Sequence, residues 1–359
     1  MDPSTIEDTE AAVPPVTPEQ SARRIPHTEL AELVGRRDRG EAFPASAEPL
    51  DLSGSQLAGV DLSGLDLSRA TLAGANLVGA DLERTRLVAA DLTGAVLHNT
   101  KLAGAELLQA DLSGADLTNA NLDRAGLGQV IGTDAVFFGV TVDGASFTGA
   151  ELTGADFRTA VLTNCRMREV VLSGVDFTNA TLERVDLGAA ELHRTVFRDT
   201  DLTGSILKSV TGYKTCDWIH SDIQDVDFNG AWLVRRYIQD ENYLHEFRNQ
   251  SPLHERLYLI WSITSDCGRS LGRWALWTVA VAMIYAALYT QVTIDWGDYE
   301  TPLSPIYYSV VTFTTLGYGD VLPGSTAAQV LVITEVIFGY FSLGGMMSIL
   351  SDKMARRAG

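Results

Sequence analysis

A chain of 359 residues with 46 acidic against 27 basic side chains carries a formal charge of −19. That balance excludes general nucleic-acid binding, which needs basic surface to displace counterions. Three widely spaced cysteines, Cys165, Cys216 and Cys267, exclude a disulfide-built secreted domain and fit a reducing compartment. The histidines are scattered, and no Cys/His cluster has the spacing of a metal site.

Met1 to Gln20 is rich in acids, Ser, Thr and Pro, with no basic stretch leading into an apolar one. This predicts no secretory leader and a disordered tail. A short helix can follow, with Thr28 as N-cap and Leu30, Leu33 and Val34 on one face. Residues 1–49 are thus expected to be a tail with a possible capping helix.

From Asp51 the chain falls into pentapeptides, DLSGS QLAGV DLSGL DLSRA, without a gap to about Val210. Of the 32 positions taken every fifth residue from Leu52 to Leu207, 30 are Leu, Phe or Met, and only Gly132 and Val142 depart. Two residues before each centre stands a mostly small residue, such as Ala75, Ala115, Ala150 or Cys165. After Leu207 the phase slips by one residue and resumes weakly at Tyr213, Trp218, Ile223 and Phe228. A period of five fits neither helix nor strand. It fits a coil in which each pentapeptide forms one side, with Leu inward and the small residue filling the corner. The sequence here resembles the pentapeptide repeat family, with its A(D/N)LXX pattern. The resemblance implies a right-handed quadrilateral β-helix over residues 50–230, with four pentapeptides per coil. Eight strict coils and a ninth from the slipped repeats, stacked about 4.8 Å apart, give a rod about 40 Å long. The recurring Asp residues read as turn and surface positions, and Cys165 as a buried thiol.

Residues 231–270 read as a helical cap or linker. Ala231 to Arg248 and Leu253 to Thr264 have helical patterns. They can pack on the last coil, as solenoid ends require. Alternatively, the stretch near Ile260 and Trp261 lies along a membrane surface.

Trp274 to Ile294 has no charge, and Ala327 to Leu350 has one, Glu335. Both runs are long enough to cross a bilayer as helices. Arg269 and Arg273 precede the first, Lys353, Arg356 and Arg357 follow the second, and no Lys or Arg occurs from Val292 to Gln329. The positive-inside rule then places both termini and the repeat domain in the cytoplasm, at a plasma or inner membrane. Trp274, Trp277 and Trp296 are candidate interface anchors.

Between the spans lies SPIYYSVVTFTTLGYGDVLPG. Pro305 suits the first turn of a helix too short to span, Ile306 to Thr314. Thr314, Thr315, Leu316, Gly317, Tyr318, Gly319 and Asp320 follow, and they resemble the selectivity filter of potassium channels. Residues 271–359 as a whole resemble an α-helical two-transmembrane channel pore domain. The resemblance implies potassium ions bound by Thr315, Leu316, Gly317, Tyr318 and Gly319. It implies a homotetramer, because four such loops must surround one axis. Thr314, Asp320, Tyr307 and Tyr308 would support the filter, with Tyr308 within reach of Tyr318, and Gly339 would be the gating hinge of the inner helix. Small-residue helix packing is the other role open to Gly339. The chain departs from the family pattern at Leu316, where Val or Ile is usual. It also departs at Tyr307 and Tyr308, where many relatives carry a Trp pair, and at Val311, where one channel has a Glu paired with the filter Asp.

Glu335 is expected to find donors, because an ionisable group inside a span is costly. Tyr307, Tyr308 and Thr312 are the candidates, and Glu335 would then brace the filter from behind. No voltage-sensor helix, nucleophile–base set or phosphate loop is legible, which argues against an enzyme. Potassium is the expected permeant ion, with no organic cofactor, and the bilayer and the chain's own copies are the expected partners. The alternative is a membrane-anchored acidic β-helix that binds a protein partner as a DNA mimic, with the pore secondary.

Overall fold

A computed structural model describes residues 34, 35, 39, 49–297 and 300–358, with side chains at the C-terminal end described to Ser351 and at Met354. The chain forms two compact units, Met1–Tyr243 and Leu244–Gly359. The expected tail lies outside the described residues, and of the residues named for the capping helix only Val34 is described, in a helical conformation.

In the first unit, the residue before each inward centre pairs in parallel with the residue twenty positions on. Asp51 pairs with Thr71, Thr71 with Asp91, and so on to Glu191 with Thr211. Three rungs extend into short parallel strands, β1 (Thr141–Asp143), β2 (Val161–Thr163) and β3 (Thr181–Glu183), in the register Thr141–Val161–Thr181. An offset of twenty residues is one coil of four pentapeptides. Each pentapeptide closes a turn, as where the Ser55 amide donates to the Leu52 carbonyl at 3.1 Å with Gly54 at φ 62° between them. That left-handed position recurs every five residues, which is why Gly recurs there.

The inward Leu and Phe side chains are buried throughout the stack. Positions one coil apart lie on top of each other, so Phe137, Phe157, Phe177, Phe197 and Trp218 form a continuous aromatic column. Successive ring centroids along it are 4.4, 5.2, 5.4 and 4.4 Å apart. At Gly132 the missing side chain leaves no void: a Cβ there would stand 2.9 Å from Leu152 Cδ2. Where Thr replaces Ala in a small inward slot, its hydroxyl finds a carbonyl 23 residues back. Thr85 donates to Leu62 O at 2.9 Å and Thr195 to Leu172 O at 2.8 Å. Such burial leaves no polar group unpaired.

The slip is absorbed at one place. Thr211 still pairs at an offset of twenty, whereas Asp217 pairs with Val196 and Asp222 with Asp201, at twenty-one. A 3₁₀ turn, Tyr213–Thr215, takes up the extra residue. Trp218 is fully buried, and Ile223 and Phe228 are half-buried at the end of the stack.

Helix α1 (Trp232–Asn249) closes that end. Ala231, Val234 and Ile238 join the core, and the Tyr237 hydroxyl donates to Lys214 O at 2.8 Å. The Asn242 side chain donates to Trp218 O and accepts from the His220 amide at 2.7 Å. The expected cap is therefore the first of the two linker helices.

The second unit contains α2 (Pro252–Ser265), α3 (Leu271–Tyr289), α4 (Ser304–Phe313) and α5 (Thr326–Ala358). Ser251 caps α2 through its hydroxyl and Pro252 opens it, as the helix-start rules require. Helix α2 packs on α3, and α3, α4 and α5 pack on one another. Helix α3 stops five residues short of the end of its apolar run. There Ile294–Asp295 (β4) turns to pair antiparallel with Leu322–Pro323 (β5). Helix α3 and residues Thr326–Ser351 of α5 are long and apolar enough to cross a membrane. Trp274 and Trp296, two of the expected interface anchors, also make packing contacts. The Trp274 indole donates to Ser342 O at 2.9 Å and its ring fills the space over Gly345, while Trp296 lies edge-on to Tyr308.

Candidate functional site

Helix α4 ends in a cap in which Thr315 takes the left-handed conformation. The Thr315 amide donates to Thr312 O and the Leu316 amide to Val311 O, each at 3.0 Å. From Leu316 to Asp320 the backbone is neither helix nor strand. From Thr315 on, φ is positive at every second residue: 58° at Thr315, 48° at Gly317 and 75° at Gly319. An ordinary extended chain points successive carbonyls to opposite sides. Reversing the backbone hand at alternate residues turns them toward the same side, so one short loop can present a row of oxygens. Glycine takes this conformation freely at 317 and 319. Thr315 is β-branched and holds it only because its own amide is tied into the α4 terminus.

On the other side of the loop, Tyr307 and Asp320 are thirteen residues apart, and the Tyr307 hydroxyl donates to Asp320 Oδ2 at 2.7 Å. Asp320 thus has a partner although Val311 offers none. Tyr308, expected within reach of Tyr318, packs on α3 within its own chain. It is buried against Tyr289, with centroids 4.8 Å apart, while the Tyr318 ring is two-thirds exposed. A cavity of about 280 Å³ lies behind the loop, lined by Tyr308, Val311, Thr312, Val332, Val336 and Tyr340 together with loop residues.

Glu335 is completely buried. The expected donors Tyr307, Tyr308 and Thr312 do not hold it. Its partners are Tyr289 from α3, whose hydroxyl donates to Oε2 at 2.6 Å, and Ser309 from α4, whose Oγ contacts Oε1. Sequence reasoning missed both. The only available signal was that they are polar residues within otherwise apolar faces.

Gly339 lies where α5 touches the end of α4. A Cβ there would stand 2.2 Å from the Phe313 carbonyl oxygen. Helix α5 runs through this point without interruption, so close helix packing accounts for the glycine in this conformation. Gly344 faces open space, and Gly345 accommodates Trp274.

Pentapeptide repeats match the chain in eight copies, over residues 51–87, 90–128, 133–168, 143–179 and 171–208. An ion channel family matches residues 274–356. Among solved structures, the chain is similar to HetL, a pentapeptide repeat protein involved in heterocyst differentiation regulation in the cyanobacterium Nostoc sp. strain PCC 7120. The two are 30% identical over 50% of this chain and 80% of that one, with a TM-score of 0.48. It is 34% identical to a pentapeptide repeat protein of the Arabidopsis thaliana thylakoid lumen, over 29% of this chain and 67% of that one, with a TM-score of 0.16. It is 22% identical to QnrB1, a plasmid-mediated fluoroquinolone resistance protein, over 52% and 95%, with a TM-score of 0.46. No curated protein matches the chain.

Proposed function

We propose that this chain, in which pentapeptide repeats and an ion channel domain are both present, is one subunit of a homotetrameric potassium-selective channel. Its repeat domain, a right-handed square β-helix with twenty residues per coil, acts as a scaffold or regulatory module. The observation that carries the proposal is the alternation of backbone hand at Thr315, Gly317 and Gly319. A dehydrated potassium ion needs oxygens on all sides, and a loop with its carbonyls turned one way supplies one quarter of such a cage. Four copies around an axis complete it. Non-helical backbone is tolerated at membrane depth only where it is enclosed by protein or lines the ion path. Helix α4 ends just before the filter, and its carboxyl end favours a cation. The side chains of Ile333, Ile337 and Phe341 on α5 are exposed in the single chain, and neighbouring subunits or lipid would cover them. The β-helix interior is filled with Leu and Phe and leaves no passage for ions, so the repeats lie outside the conduction path. The distribution of Lys and Arg supports a cytoplasmic position for both termini.

The test is flux from liposomes containing the purified full-length protein. Potassium should pass and sodium should be largely excluded, and Gly317→Ala should abolish the discrimination while leaving the repeat domain folded. Equal flux of the two ions through an intact tetramer would refute the proposal.

A further inference from the structure

Three helices meet at the Glu335 carboxyl, and the protons available there can be counted. Ser309 Oγ has one proton and two oxygen neighbours. It lies 2.7 Å from the Ala282 carbonyl of α3 and within hydrogen-bond distance of Glu335 Oε1. The carbonyl can only accept. If Ser309 donates to Ala282, the contact with Oε1 needs a proton from elsewhere. If it donates to Oε1, the Ala282 and Ser309 oxygens face each other with none between them. The Tyr289 hydroxyl donates its proton to Oε2, so it cannot fill the gap. Both contacts are satisfied when Glu335 itself carries the missing proton.

The surroundings agree. No Lys, Arg or His occurs between Trp274 and Ser351, so the parts of these helices around Glu335 contain no cation to balance a carboxylate, and Arg273, Lys353, Arg356 and Arg357 lie at their far ends. The titratable side chains packed around the site are the phenols of Tyr289 from α3 and Tyr308 from α4, with Tyr285 next to Tyr289. A fully buried anion without a cation is far less favourable than the neutral acid.

We propose that Glu335 is held as the neutral acid and acts as a positioning residue. Its proton goes to Ser309 Oγ, the Ser309 proton to Ala282 O, and the Tyr289 proton to Glu335 Oε2. This chain of donors joins the outer helix α3, the pore helix α4 and the inner helix α5, and it fixes α4 at its middle turn. Glutamine reproduces the pattern, because its amide donates to Ser309 and its carbonyl accepts from Tyr289. Leucine reproduces none of it.

The first experiment is infrared spectroscopy of the full-length protein in lipid at neutral pH. A protonated-carboxyl C=O band should be present, move on exchange into heavy water and vanish in Glu335→Gln. In Ser309→Ala it should shift to higher frequency as its hydrogen bond is lost. If neither variant changes any protonated-carboxyl band, the neutral acid is refuted. The second experiment measures ion flux, and it rests on the channel reading whereas the infrared result does not. Glu335→Gln should keep the potassium-over-sodium ratio across the whole accessible pH range. Glu335→Leu should lower it about tenfold, the scale of one lost buried hydrogen bond. A leucine variant with the wild-type ratio and tetramer stability would overturn the positioning role. Absence of flux in the wild-type protein, with the infrared pattern intact, would count against the channel reading and not against the protonation state.

Discussion

Gly339 and Gly344 are five residues apart on one helix, yet they have opposite surroundings. A methyl group at 339 meets the Phe313 carbonyl at 2.2 Å, whereas one at 344 meets nothing within 4 Å. Gly339→Ala must therefore push α5 off the end of α4. The expected cost is about 1–3 kcal/mol, as for other overpacked sites, seen as a lower melting temperature of the detergent-solubilised oligomer. Gly344→Ala should be neutral or stabilising by up to about 1 kcal/mol, because alanine is the better helix former. Tyr307→Phe removes the hydroxyl that holds Asp320. It should shorten the conducting lifetime in single-channel recordings without changing expression or assembly. The loop after α4 was legible as TTLGYGD, because its conformation is built into the residue types: Gly317 and Gly319 sit where φ is positive. The supports behind it were not legible. Whether Tyr307 or Tyr308 reaches the loop, and whether Glu335 meets Thr312 or Ser309, depends on the rotation of each helix about its axis. Among residues that are mostly apolar all round, the sequence does not encode that rotation.

At the scale of elements, the repeat domain was legible almost residue by residue, because one constraint recurs 32 times from Leu52 to Leu207 and errors cannot accumulate. The stacking of equivalent positions was also implicit: Phe157, Phe177 and Phe197 are one coil apart in sequence and in contact in space. Phe177 has an aromatic neighbour on each side, so Phe177→Ala should destabilise the β-helix by about 3–5 kcal/mol in urea titrations. Less legible was the way a single extra residue near Gly212 is disposed of, since a 3₁₀ turn leaves no periodic signal. Cys165 and Cys216 give the domain a defined response to alkali. Burial raises their thiols from the ordinary 9.0 to about 11 and about 12 respectively. The native fold disfavours the thiolate, so the unfolded chain ionises first. The contribution to stability is complete below pH 9.0 and is lost as pH rises through about 11 and 12. Cys165→Ala, which places the commonest residue of that slot there, should flatten part of this decline in denaturation midpoints measured across the same window.

For the whole molecule, the proposed function gives the two compact units separate tasks, and their dependence on each other can be tested by removal. Deleting residues 1–230 should leave potassium-selective flux intact, with changes confined to assembly or open probability. Loss of selectivity in a truncated but tetrameric protein would show that the repeats take part in shaping the filter. The twenty-residue pairing offset has a further consequence for how such a chain can change length. Removing one coil would bring the cap helix α1 closer by one strand spacing while leaving its heading around the rod unchanged. Removing a single pentapeptide would swing that heading by a quarter turn and place every downstream side chain on the next face. Along the repeat domain, insertions and deletions of whole coils would therefore alter reach alone, and those of single repeats would alter bearing.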